Sequence, residues 1–259
     1  MTDKQSKQIA TVRIQRFNPE KDKKPQFENF DLEYTRDTTI LDALHEIKTH
    51  QDGSLTYRRS CRHAICGSCA MNINGHNMLA CNQPLFRHLN RKKEITIKPL
   101  PYLPVIKDLV VDRTRFWEQY LRVKPWLINS GPAPEKEYRV SQEEVAALQK
   151  AETCIMCGAC FSACPVVASS DVYIGPHALL KSFLRVMDPR DEGFAERMDE
   201  VATDEGAFRC HTVFNCIDAC PKNLDPTKAI ETLRSLAAKR LVYEEQKNKR
   251  RETLSKKVA

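Results

Sequence analysis

Cysteine spacing sets the chemistry open to this chain. One group reads Cys61-x4-Cys66-x2-Cys69-x11-Cys81, a second Cys154-x2-Cys157-x2-Cys160-x3-Cys164-Pro165, and a third Cys210-x5-Cys216-x3-Cys220-Pro221; together they use all eleven cysteines of the 259 residues. Thiolates at these spacings are ligands for iron–sulfur clusters, which exchange single electrons. Three such sites on one chain make a wire, and a wire implies a donor and an acceptor.

The first group has the C-x4-C-x2-C spacing and distant fourth cysteine of a plant-type [2Fe–2S] site. Cys61, Cys66, Cys69 and Cys81 supply the four thiolates that two sulfide-bridged irons need. The loop residues between them are few and partly small, so backbone N–H groups can approach the sulfurs and tune the potential. The second group is the bacterial ferredoxin run, whose fourth cysteine serves the other cluster of a pair. By that rule Cys154, Cys157 and Cys160 take Cys220 as fourth ligand and hold [4Fe–4S], while Cys164 crosses to join Cys210 and Cys216. A complete run would carry a cysteine at position 213, where this chain has Val213. Valine cannot bind iron, so the third site is expected to be [3Fe–4S], and no cysteine is left over.

Two other uses of cysteine fit less well. Zinc binds C-x2-C pairs, but a zinc-stabilised interaction module leaves the C-x2-C-x2-C-x3-C-P run unexplained. A disulfide framework suits small secreted domains. This chain is longer, and Met1-Thr2-Asp3-Lys4-Gln5-Ser6-Lys7 reads as neither a secretory nor a transit signal. Thiolate ligands suit a reducing compartment. With no run of about 18 apolar residues, the chain is not expected to span a membrane by itself. The net charge is +7, and the stretch from Lys239 to Ala259 holds eight Lys or Arg against three Glu. That tail reads as a solvated terminus with a capacity for anionic lipid; no motif for nucleic acid accompanies it.

The elements that must position these cysteines fall into two kinds. Residues 9–17, with Val12 and Ile14, and the alternation Phe30, Leu32, Tyr34 predict strands, as do Ile95 and Ile97. Asp37 or Thr38 is placed to cap a helix carrying Ile40, Leu41, Leu44 and Ile47. Prolines in Lys98-Pro99-Leu100-Pro101-Tyr102-Leu103-Pro104 oppose both helix and central strand, and put a domain boundary near residue 105, giving domains 1–105 and 106–259. Beyond it the pattern is helical. Ser141-Gln142-Glu143-Glu144 is a capping box leading to Val145 and Leu148. Leu180, Phe183, Leu184 and Met187 form a stripe that Pro189 ends, and Pro226 opens a last helix with Ile230, Leu233, Ala237 and Leu241. These stripes read as core, and His45, His50, His76, His88 and His177 as surface or packing residues. There is no nucleotide-binding glycine motif and no catalytic dyad.

The pattern resembles the iron–sulfur subunit of the succinate dehydrogenase/fumarate reductase family over nearly the whole chain. The residues that carry it are Ser60 to Cys69 as SCRHAICGSC, Leu79-Ala80-Cys81, Cys154-Ile155-Met156-Cys157-Gly158-Ala159-Cys160, the stretch Asp108 to Leu127, Ile174-Gly175-Pro176, Cys210-His211 and Cys220-Pro221-Lys222. The resemblance implies an α+β protein: an N-terminal β-grasp [2Fe–2S] ferredoxin-like domain, then an all-helical domain of bacterial-ferredoxin type. It implies a flavoprotein partner whose FAD interconverts succinate and fumarate, with electrons passing singly through [2Fe–2S], [4Fe–4S] and [3Fe–4S]. A transmembrane anchor, with or without haem, would hold quinone beside the last cluster, placing the chain peripherally on the cytoplasmic face of a bacterial inner membrane. A soluble flavoprotein fumarate reductase is the alternative setting for the same chain. Pro165, His211, Val213 and Arg234 are the candidates for the quinone end. Many members carry tryptophans after the equivalent of Cys164-Pro165; here the residues are Val166-Val167-Ala168-Ser169-Ser170, so the pocket wall differs.

Overall fold

The structure is a computed structural model that describes residues 8–132, 135–240, 246 and 249. Leu241 and most of the basic tail therefore lie outside the described residues. In chain order the strands are β1 (Gln8–Arg16), β2 (Gln26–Tyr34), β3 (Ala70–Ile73), β4 (His76–Leu79), β5 (Glu94–Lys98), β6 (Val105–Lys107) and β7 (Val110–Val111). The helices are α1 (Ile40–His50), α2 (Thr114–Arg122), α3 (Gln142–Glu152), α4 (Ala159–Ala163), α5 (Pro165–Ser169), α6 (Pro176–Met187), α7 (Phe194–Val201), α8 (Asn215–Asp218) and α9 (Pro226–Ala238). Two compact units result, and they do not follow chain order. The first takes the chain up to Thr114 together with Ile155–Ala163 and Ala219–Pro221; the second takes Arg115–Cys154, Cys164–Asp218 and the residues from Lys222 on.

The first unit is a mixed five-stranded sheet in the order β2-β1-β5-β3-β4. β1 pairs antiparallel with β2, where Val12 faces Phe30, and parallel with β5, where Val12 faces Ile95. Alternation sends Ala10, Val12 and Ile14 inward, as the period of two requires. Helix α1 contacts β2 and buries Ile40, Leu41, Ala43, Leu44 and Ile47, about 1.5–3 kcal/mol for each larger side chain. Its cap is Thr39, one residue later than the sequence suggests. Thr39 is extended and its hydroxyl accepts from the Asp42 amide at 3.1 Å, while Thr39 N–H donates to the Asp42 carboxylate at 3.1 Å. Thr38 is engaged instead by the Thr35 N–H at 3.0 Å.

Asp108, at the β6–β7 turn, is buried and ties three loops together. Its carboxylate accepts from Arg16 Nε at 3.0 Å, from the Phe17 amide at 3.2 Å and from the Thr56 amide at 2.9 Å. Arg16 also pairs with Glu28 at 2.6 Å and with Asp52.

The second unit is helical in all its described elements and is arranged around α6, which contacts α3, α7 and α9. The sequence shows one stripe, yet the structure buries His177, Ala178, Leu179, Leu180, Ser182, Leu184 and Val186, because a helix surrounded by partners is apolar on nearly every side. Phe183 and Met187, the other stripe members, are only half-buried. The capping box at Ser141 forms as expected, with the Glu144 carboxylate 2.7 Å from the Ser141 amide. Val145 stays exposed, however, and α3 buries Leu148 and Ala151. His177 is a packing residue: its ring stacks on Phe116 at 3.9 Å and its Nε2 lies 2.8 Å from the Phe116 carbonyl. Asp191 and Arg197, both fully buried, pair at 2.5 Å, and Arg197 also donates to the Lys124 and Trp126 carbonyls.

Removing Asp108 takes the acceptor from the Phe17 and Thr56 amides and leaves Arg16 with Glu28 and Asp52. Asp108→Ala should therefore destabilise the first unit by ~1–3 kcal/mol, measured as a lower denaturant midpoint; an unchanged midpoint would show that the three loops hold without it.

Candidate metal centres

None of the eleven cysteines is in a disulfide, and among the described residues no three His, Cys, Asp or Glu side chains close together as around a single metal ion. In the first unit the loop between α1 and β3 wraps Cys61, Cys66 and Cys69, with Cys81 just after β4. Arg62, Ala64 and Gly67 have φ of 60°, 55° and 71°. Such left-handed residues turn successive N–H groups to one side and form a nest for negative charge. The Cys61 sulfur accepts from the amides of His63, Ile65 and Cys66 at 3.3, 3.4 and 3.3 Å, and the Cys81 sulfur accepts from the Ala64 amide at 3.3 Å. These donors suit sulfurs that stay anionic, as cluster ligands do.

The thiols differ in character. Burial pushes Cys66 up, but hydrogen bonds from Ser68 and Cys61 outweigh it and bring the thiol down to about 6. The Ser68 hydroxyl lies 3.1 Å from the Cys66 sulfur. Burial and the neighbouring Cys81 and Cys66 push Cys69 up to about 12.

Cys157, Cys160 and Cys220 belong to the same first unit, whereas Cys154 ends a stretch of the second. Gly67 approaches Cys157 so closely that a Cβ on it would stand 2.8 Å from the Cys157 Cβ. Glycine is therefore required there by space as well as by φ. The Asn77 amide donates to the Ala159 carbonyl at 3.1 Å and accepts from Asn72 at 2.9 Å, both side chains being buried. The β3–β4 hairpin and the Cys157–Cys160 segment are thus bolted together by polar contacts no sequence motif announces.

Cys164, Cys210 and Cys216 converge in the second unit. They line one small cavity of about 20 Å³ with Pro165, Val213 and Tyr173. Burial pushes the Cys216 thiol up to about 11, with Cys164 and Cys210 adding to the rise against a 3.3 Å contact from the Thr227 hydroxyl. Burial likewise raises Cys164, helped by Cys210. The Thr212 amide donates to the Cys210 sulfur at 3.4 Å, and Thr212 and Phe214 flank Val213 with φ of 56° and 65°. Val213 itself is half-exposed. A second, polar cavity of about 400 Å³ adjoins it, lined by Val166, Ser169, Asp204, Phe208, Arg209 and His211. His211 and Val166 border both. Arg234 lines neither; its guanidinium donates to the carbonyls of Ala207 at 2.8 Å, Phe208 at 3.4 Å and Cys210, clamping the turn that enters Cys210.

Comparison with known proteins decides the family. Residues 11–118 match the 2Fe-2S iron-sulfur cluster binding domain, and residues 146–221 match the 4Fe-4S dicluster domain. The succinate dehydrogenase iron-sulfur subunit of Paracoccus denitrificans is 42% identical over 236 residues, 90% of each chain. The chain belongs to the family of succinate dehydrogenase iron–sulfur subunits. It is accordingly an electron-transfer component of an oxidoreductase complex. A chain of the Mycobacterium smegmatis Sdh1 complex in the apo form superposes with a TM-score of 0.79 at 25% identity, covering 91% of this chain and 98% of that one. A hypothetical protein from Helicobacter pylori shares the fold at TM-score 0.52 and 18% identity, over 87% of this chain and 39% of its own.

For a succinate dehydrogenase iron–sulfur subunit the donor set fits clusters well, since anionic sulfurs meet amide and hydroxyl donors. Tyr173 and Thr227 are the members of the third site that cysteine spacing misses. Tyr173 is buried, its hydroxyl hydrogen-bonds Cys210, and burial beside Cys210, Cys164 and Cys216 drives its own ionisation far up. Its place just before Ile174-Gly175-Pro176 is the one sequence signal that could have flagged it.

In the metal-free protein, alkylation should discriminate the first-site thiols, because only the thiolate reacts. Cys66 should be modified by iodoacetamide with a midpoint near pH 6, whereas Cys69, protonated until about pH 12, should stay unmodified at pH 8. Equal rates at the two, read by peptide mass spectrometry, would contradict the assigned hydrogen bonds.

Proposed function

We propose that this chain relays electrons between the FAD of a flavoprotein subunit and quinone held at a transmembrane anchor, in a succinate:quinone oxidoreductase at the cytoplasmic face of a bacterial inner membrane. The observation that carries the reading is the convergence of Cys164, Cys210 and Cys216 on one cavity with Val213 on its wall. The ligand sets are Cys61, Cys66, Cys69 and Cys81 for [2Fe–2S]; Cys154, Cys157, Cys160 and Cys220 for [4Fe–4S]; and Cys164, Cys210 and Cys216 for [3Fe–4S]. Along the chain, a domain division at residue 105 sets the first group apart from the other two, whereas the compact units group Cys157, Cys160 and Cys220 with it. When bound, the clusters supply one-electron exchange.

The protein's own residues do the rest. Amides of residues 63–66 and of Thr212 stabilise negative charge on sulfur, and burial of Cys69 and Cys216 keeps water from the ligands. No helix among the described residues is long and apolar enough to cross a membrane; in this reading a partner subunit supplies the anchor. His211 stands where the cysteine cavity meets the polar one, and the latter is within the size of small-molecule sites, about 300–1,000 Å³. We assign His211 to orient the quinone and Pro165 to the same wall; Arg234 serves this end through the backbone it clamps.

Low-temperature EPR of the air-oxidised complex tests the three-iron site. A nearly isotropic signal close to the free-electron position is expected, and Val213→Cys should replace it with a four-iron site of lower potential. An unaltered three-iron spectrum in that variant would place residue 213 away from the cluster. His211→Ala should slow quinone reduction at least tenfold while sparing reduction of an artificial dye; equal loss of both would end its assignment to quinone.

A further inference from the structure

We propose that Arg113 is a built-in cation that raises the reduction potential of the [4Fe–4S] site, an inference that rests on the ligand assignment just given. Arg113 belongs to the first unit and stands directly before α2. Its guanidinium Nη2 donates to the Met156 carbonyl. The same Nη2 is 3.3 Å, and Cζ 3.7 Å, from the position a Cβ on Gly158 would take. Met156 and Gly158 are the two neighbours of Cys157, so the charged group sits astride a cluster ligand. The backbone is shaped for this contact: Met156 and Gly158 have φ of 53° and 86°, and the missing side chain at 158 leaves the guanidinium its space.

The charge is permanent, since arginine keeps its proton in proteins. Reduction adds one electron, and hence one negative charge, to a site already anionic through its thiolates. A cation at this range therefore favours the reduced form over the oxidised one. Cys157, Gly158 and Ala159 are buried, so solvent and salt screen the interaction weakly. Seen from the arginine, burial pulls its proton affinity down, and Cys157 pushes it up, opposed by the cation of Arg58 and joined by Cys160. Lysine in its place would keep the charge but not the shape of the guanidinium.

The test is a dithionite redox titration of the purified complex, followed by EPR, on Arg113→Gln, Arg113→Met and Arg113→Lys. Removing the charge should shift the one-electron equilibrium of [4Fe–4S] toward the oxidised form about tenfold, ~59 mV lower in potential. R113K should retain most of the wild-type potential, and the other two clusters should not move in any variant. Should R113Q not retain its cluster, R113M carries the comparison. An unmoved potential in the uncharged variants would overturn the proposal, as would an equal fall in R113K, which would point to packing rather than charge. If the wild-type complex itself gave no [4Fe–4S] signal, the ligand assignment would fall first.

Discussion

Thiolates repel one another and resist burial, and the fold is organised around forcing them together. Burial and mutual proximity drive Cys216 up to about 11 and raise Cys164 as well, with Cys210 among the causes. In the first site Cys69 is driven to about 12 for the same reasons. A chain that pays such a cost at two sites does so because multivalent iron turns the repulsion into ligation. Both of these sites carry devices for negative charge: left-handed residues that turn amides toward sulfur, and hydroxyls from Ser68, Thr227 and Tyr173.

Loops bent in this way have few hydrogen bonds of their own and must be held from outside. Buried polar residues do this repeatedly. Asp108 gathers three loops of the first unit, and Asn72 with Asn77 fixes the Cys157–Cys160 segment to the β3–β4 hairpin. In the second unit Arg234 clamps the entry to Cys210, and Arg115 donates to the Val167 and Ser170 carbonyls that close the turn after Cys164. The apolar cores supply rigidity, and these polar anchors transmit it to loops that would otherwise be free to relax away from a crowded site.

The departure after Cys164-Pro165 has a structural consequence. Val166 and Val167 are buried and Ser169 faces the polar cavity, so the wall there is made by small side chains. Phe208, Val213 and Phe214 remain about half-exposed nearby in sequence to His211. Exposed apolar side chains around a cavity that mixes Asp204, Arg209 and His211 make a surface suited to a partner and a polar-headed ligand together.

The iron–sulfur signature was legible in the sequence because metal–thiolate chemistry is local: C-x4-C-x2-C and C-x2-C-x2-C-x3-C-P carry their meaning within a dozen residues. Helix caps and alternating strands were legible for the same reason, though Thr39 rather than Asp37 or Thr38 caps α1, since cap choice turns on backbone angles that composition does not show. The units themselves were not legible. Residues 155–163 and 219–221 join the sheet unit rather than their sequence neighbours, and Gly67 and Asn77 meet Cys157 and Ala159 across some eighty to ninety positions of chain. Arg113, Tyr173 and Thr227 carry ordinary identities and acquire a role only through what lies beside them. The sequence by itself determined the cysteine spacing that marks the family; tertiary structure alone decided which charges, amides and hydroxyls surround the sulfurs, because electrostatic energy depends on distance through space and not on separation along the chain.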